Sequence, residues 1–190
     1  MKQRLYKQTA TLALTIFLFG CEQTTTKEEA ITHFNEVYGI YHEDYQTNLK
    51  WYKSIMNIIT DLQSGQIPDT LALTAIQEQV TVGQQSHKNS LDRLDLVKPI
   101  KCKNDILAKA KENIQGQITA QNDINSIIEL LKGGIQENEK EEFKMKGEVL
   151  LKNAENIERW KDDLQAFRKE FNFTKEDTKA IVDKFVLDKK

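Results

Sequence analysis

The sequence predicts an all-α protein, an elongated antiparallel four-helix bundle with a short C-terminal helix. Apolar residues recur at steps of three and four through most of the chain, the spacing that places them on one face of a helix. No segment alternates apolar and polar residues long enough to make a convincing strand. Glycine and proline are scarce, 8 and 2 in 190 residues, and several of them fall where the helical stripes break. The length suits one domain rather than two good-sized ones. Two cysteines cannot build a disulfide scaffold. A formal charge of −2 argues against a dedicated nucleic-acid binder, which would carry a basic excess.

The chain begins with a basic segment, Lys2, Arg4 and Lys7, and has no acid before Glu22. Residues 10–20 are apolar apart from Thr11 and Thr15. This order reads as a secretory signal peptide over residues 1–20. The apolar run is about half the ~20 residues that a spanning helix needs. Leu18-Phe19-Gly20-Cys21 follows and resembles the lipobox of bacterial lipoproteins, although Phe19 stands where Ala or Ser is common. The resemblance covers residues 1–21 alone. It implies that Cys21 receives diacylglycerol through its thiol and that the peptide bond before it is cut. The mature chain would then be lipid-anchored on the extracytoplasmic side of a bacterial membrane. Loss of three basic residues would take its formal charge from −2 to −5. Cys102 would be the only free thiol, so packing rather than a disulfide must hold the fold.

Residues 21–26 form the lipidated tether, and the part beyond Cys21 reaches about 17 Å at ~3.4 Å per residue. The remaining stretch, 27–190, is a single bundle domain. Thr26-Lys27-Glu28-Glu29 is a capping box that opens a first helix over Lys27 to Gln63. Its stripe is Ile31, Phe34, Tyr38, Tyr41, Tyr45, Leu49, Tyr52, Met56, Ile59 and Leu62, and Gly65 and Pro68 stop it. A second helix capped by Asp69 or Thr70 carries Leu73, Ile76, Val80, Gly83, His87, Ser90, Leu94 and Val97. Pro99 places a turn at about 98–104. The alternative keeps three long helices, the middle one merely kinked at Pro99.

A third helix carries Leu107, Ala110, Ile114, Ile118, Ile124, Ile128 and Leu131, is interrupted by Gln121, and ends at Gly133-Gly134. The fourth runs from about Glu137 to Phe171 on Phe143, Leu150, Ala154, Ile157, Trp160, Leu164 and Phe167. Thr174-Lys175-Glu176-Asp177 opens the terminal helix with Ile181 and Phe185. Short links favour antiparallel neighbours in an up-down-up-down order.

Tyr38, Tyr41, Tyr45 and Tyr52 share one face of the first helix, beside Trp51. They suit either a wall for a sugar or apolar ligand or core packing with hydroxyls at the edge. His87 lies in the seam of the second helix, near Ser90 and with Gln121 a candidate across from it. Together with Gly83 it marks either a cavity or a close helix approach. The residues three before His33, His42 and His87 are Ala30, Gly39 and Gln84; none makes the Glu-x-x-His pair of a di-iron bundle. His42-Glu43-Asp44 point to different helix faces. No metal site and no cofactor is expected. Lys98, Lys101, Cys102 and Lys103 form a basic knot suited to anionic phospholipid or wall polymer.

Catalytic signatures are missing from the sequence, and no enzymatic activity is expected. The expected work is binding to an envelope protein or the cell wall, as a membrane-tethered accessory module. The alternative is a small-molecule or pH-sensing protein with a bundle cavity near His87. In layout the chain is similar to small helical envelope lipoproteins, among them the cell-wall-binding lipoproteins of Gram-positive bacteria.

Overall fold

The computed structural model describes residues 24–133, 141, 145–146, 159–179 and 183. The expected signal peptide, Cys21, Gly134, the apolar positions Phe143, Leu150, Ala154 and Ile157, and Ile181 and Phe185 lie outside the described residues.

Helix α1 spans Lys27–Gln63, the bounds read from the sequence. Thr26 is its N-cap: the Glu29 N–H donates to Thr26 Oγ1 at 3.2 Å and the Thr26 N–H to Glu29 Oε2 at 2.8 Å. Its other end is a Schellman motif. The Gly65 N–H donates to the Leu62 carbonyl at 3.0 Å and the Gln66 N–H to the Asp61 carbonyl at 2.9 Å. That arrangement turns Gly65 to φ +72°, the left-handed conformation which glycine adopts without a Cβ penalty.

Helix α2 spans Asp69–Asp95 and its N-cap is Pro68, with no side-chain capping bond. Asp69 and Thr70 therefore do not cap it, contrary to the sequence reading. Pro68 lies in extended backbone at φ −75°, and its carbonyl accepts from the Leu71 and Ala72 N–H groups at 3.0 Å. The ring cannot be one of the helix donors, so the position outside the first turn suits it. The helix stops at Asp95 with Leu96 as C-cap, and residues 96–105 form a non-helical connection. This removes the arrangement with one helix kinked at Pro99.

Helix α3 spans Ile106–Gly133. Asp105 closes its first turn, Oδ1 accepting from the Ala108 N–H at 3.0 Å. A further helix, α4, is described over residues 159–170, and its C-terminal end has Asn172 at φ 53°. The Phe173 N–H donates to the Arg168 carbonyl at 2.9 Å, the same motif that ends α1. Thr174 and Asp177 then cap each other reciprocally.

Cross-helix contacts fix the directions. Glu43 pairs with Arg93 at 2.8 Å and Asp95 with Lys111 at 2.7 Å, while Gln77 reaches Glu129 at 3.0 Å. Tyr41 meets Trp160 and Phe34 meets Phe167, with ring centroids 4.4 and 6.2 Å apart. Neighbouring helices thus run antiparallel, α1 up, α2 down, α3 up and α4 down, in an all-α bundle. Among the described residues there is no strand.

The lower half of the bundle holds the apolar cluster: Ala30, Phe34, Val37, Tyr41, Leu94, Ile106, Ile114, Trp160 and Phe167 are among its buried members. Phe167 is fully buried and lies 5.0–6.2 Å from the rings of Phe34, Phe171 and Phe173. The buried face of α1 is Ala30, His33, Phe34, Val37, Ile40, Tyr41, Asp44 and Ile55. It shares only Phe34 and Tyr41 with the expected apolar stripe, because small and polar residues occupy the innermost line. Leu49, Tyr52 and Met56 are exposed.

Candidate functional site

Tyr38, Tyr41 and Tyr45 follow one another at steps of three and four along α1, and α4 brings Trp160, Lys161 and Leu164 against them. With His42 they line a groove of about 280 Å³ between the two helices. Ring stacking orders its walls. Phe34 stacks on Tyr38 at 5.6 Å with planes 5° apart, and Tyr38 stacks on His42 at 5.6 Å. The Gln46 side chain lies 3.2 Å from His42 Nε2. Tyr52 is 55% exposed and does not line the groove.

Tyr41 is the innermost member, 3% exposed, against the Trp160 ring. Its hydroxyl is buried and finds no hydrogen-bond partner among the described residues. Burial pushes its pKa well above the ordinary tyrosine value, and Asp44 and Tyr45 add to that. The group is therefore a neutral hydroxyl, able to donate one hydrogen bond and accept others. Burial also raises Tyr38. Lys161 is exposed at the rim.

Above the apolar cluster lies a polar layer. His87 Nδ1 sits 2.9 Å from both carboxylate oxygens of Asp44, and each side chain is only 1% exposed. The two side chains thus satisfy each other by hydrogen bonding inside the bundle. Asn48 donates to Gln117, and Gln117 and Gln121 are buried. Thus the hydrogen-bond partner of His87 is Asp44, a residue that sequence reasoning did not pair with it. A Cβ added at Gly83 would lie 2.7 Å from Gln121 Nε2 and 3.1 Å from Trp51 Nε1. The glycine seam is filled by side chains from α1 and α3; Gly83 permits close approach and does not open a cavity. His42, Glu43 and Asp44 do diverge: His42 borders the groove, Glu43 pairs with Arg93 and Asp44 turns inward.

The basic knot lies at the end where the chain enters α1. Lys98, Lys101 and Lys103 are exposed. The connection carrying them is held from three sides. Thr25 Oγ1 donates to the Lys101 carbonyl at 2.8 Å, and His33 Nδ1 lies 3.1 Å from the Lys98 carbonyl. The Glu170 carboxylate accepts from the Lys103 and Asn104 N–H groups at 2.6 and 2.9 Å. Burial works to raise Glu170, but these bonds prevail and hold it below the ordinary carboxylate value. Burial raises the half-buried Cys102 thiol to about 11, with Asp105 and Glu170 contributing. It is protonated at neutral pH, the state of an unreactive thiol.

Among the described residues no group of three or more His, Cys, Asp or Glu could hold a metal ion. No helix there is long and apolar enough to cross a membrane. Comparison of the chain with protein-family models, with curated proteins and with solved structures finds no match.

Proposed function

We propose that the protein is exported, acylated on Cys21 and held on the extracytoplasmic face of a bacterial membrane as a binding module for the cell wall or an envelope protein. The observation that carries this is the N-terminal order of basic segment, short apolar run and Leu18-Phe19-Gly20-Cys21. The geometry is compatible with it. The chain enters the bundle at one end, where Thr25 is bonded to Lys101, so only Glu22 to Thr24 separate that contact from Cys21. A tether this short keeps the base of the bundle against the lipid headgroups, with Lys101 and Lys103 close to anionic phosphates. Tyr38 to Tyr45 stand 12 to 19 residues above Thr26, about 18–28 Å at 1.5 Å per residue. The groove would therefore face the space above the headgroups, where wall and partner proteins are met.

Replacing Cys21 with Ser tests the anchor. Palmitate labelling of Cys21 should disappear, and the variant should leave the membrane fraction or fail to be processed. A mature polypeptide that keeps its initiator methionine and carries an unmodified Cys21 thiol by mass spectrometry refutes the proposal.

A further inference from the structure

We infer that the groove between α1 and α4 is a saccharide site for one pyranose ring bearing a carboxylate. Three features of the groove converge on that chemistry. Tyr45 and Leu164 offer apolar surface on the wall, beside the edges of Tyr38 and Trp160, which suits the C–H face of a sugar ring, and tyrosine adds a polar tip for its hydroxyls. Tyr41 lines the same groove and holds a buried hydroxyl with no partner among the described residues. Buried polar groups are almost always paired in native proteins, and a ligand hydroxyl entering the groove supplies the missing bond. Lys161 puts a cation on the rim, matching a carboxylate substituent rather than a neutral sugar.

The size points the same way. About 280 Å³ is just below the range of sites for drug-sized ligands, so it holds one substituted ring rather than several. A lipid headgroup is disfavoured by height, since the groove stands about 18–28 Å along α1 from Thr26. That last point rests on the proposed membrane anchoring; the chemistry of the groove does not.

Calorimetric titration of the full-length protein tests the site, with N-acetylmuramic acid as the acidic probe and N-acetylglucosamine as the neutral one. The acidic sugar should bind about tenfold more tightly, the size of one charge-assisted contact, and Lys161→Ala should abolish that preference. Tyr41→Phe should weaken binding five- to tenfold, the loss of one hydrogen bond. It should leave the urea midpoint unchanged or raised, because the hydroxyl has no partner to lose in the ligand-free protein. Tyr45→Ala, on the outer wall, should also weaken binding. Sedimentation with purified wall sacculi separates the sources: co-sedimentation that Tyr45→Ala weakens assigns the ring to the polymer, and co-sedimentation that is absent or unaffected by Tyr45→Ala, with retained sugar binding, assigns it to a soluble sugar acid. No heat with either sugar at millimolar concentration overturns the inference, as does a Tyr41→Phe variant of unchanged affinity. The acylation state of Cys21, read by mass on the same preparation, shows separately whether the anchoring proposal stands.

Discussion

The Asp44–His87 pair gives the strongest quantitative expectation in the fold. Both side chains are 1% exposed and the Nδ1–carboxylate distance is 2.9 Å. His87→Leu leaves the buried Asp44 carboxyl group without its partner, and breaking a buried pair in this way costs about 3–5 kcal/mol. Asp44→Val is milder. The His87 Nε2 is already without a partner, so only one further ring atom is left unsatisfied, at about 1–2 kcal/mol. The double variant removes both polar groups for apolar ones of similar volume and should lie within about 1 kcal/mol of the parent. The two single losses therefore do not add: the double variant is more stable than His87→Leu alone. A cost of about 3–5 kcal/mol is a large share of the 5–15 kcal/mol typical of a domain, so the midpoint shift is easily read. Urea unfolding followed by far-UV circular dichroism, with the slope checked for constancy, measures all four proteins. A His87→Leu loss below about 1 kcal/mol, or a double variant equal to the sum of the singles, would refute the electrostatic reasoning.

Trp160 is 4% exposed and packs on Tyr41 at 4.4 Å, so Trp160→Ala should cost about 3–5 kcal/mol in chemical denaturation; a loss under about 1 kcal/mol would place it at the surface. Gly65 stands at φ +72°, and a Cβ added there would meet nothing within 4 Å. Gly65→Ala should therefore cost about 1–2 kcal/mol from backbone conformation alone, whereas Gly65→Asn should cost less. His33 is 3% exposed; burial lowers its pKa from 6.5, partly offset by its bond to the Lys98 carbonyl and by Asp105 and Glu36. Below pH 6.5 the unfolded chain takes up a proton that the fold resists, so stability falls as pH drops from there to the lowered value, by at most about 1.4 kcal/mol per pH unit. His33→Gln keeps a donor for Lys98 and should flatten that part of the urea-midpoint profile; an unchanged profile removes His33 as its cause.

The ends of α1 were the most legible part of the sequence because local chemistry decides them, whereas the cap of α2 fell on Pro68 rather than on Asp69 or Thr70. The Thr26–Glu29 box and Gly65 bound α1 without reference to the rest of the molecule, and the seam of α2 from Val80 to Val97 is buried as its periodicity required. The inner face of α1 was not legible. Large apolar residues mark a face only when the innermost line is itself large and apolar; here that line includes Ala30, His33 and Asp44. Asp44 shows the difficulty most clearly. In a chain with 29 acids nothing local separates the one carboxylate that faces His87 from those that face water, because the distinction is made by a helix 43 residues away. Tyr52 shows a related limit: helical spacing places it on the face of Tyr38 and Tyr45, but spacing does not say what packs against a given turn, and Tyr52 is 55% exposed.

The division of the bundle into an apolar lower half and a polar layer above it bears on how the groove works. Stacked phenylalanines around Phe167, the Glu170 clamp on the Lys103–Asn104 backbone and the Thr25–Lys101 bond all act near the base. They fix the register of α1 against α4 just below Tyr38. The walls of the groove come from those two helices, so its width is set by contacts that a ligand does not touch. Binding at such a site incurs little ordering cost for the protein. Glu170→Gln tests this coupling: it weakens the charge-assisted bonds to Lys103 and Asn104 without touching the groove. If the base positions the walls, the variant should bind N-acetylmuramic acid more weakly at a pH where it remains folded. If affinity is unchanged while the urea midpoint falls, the groove is positioned by its own stacked rings, Tyr38 on His42 and Tyr41 on Trp160, and the base contributes stability alone.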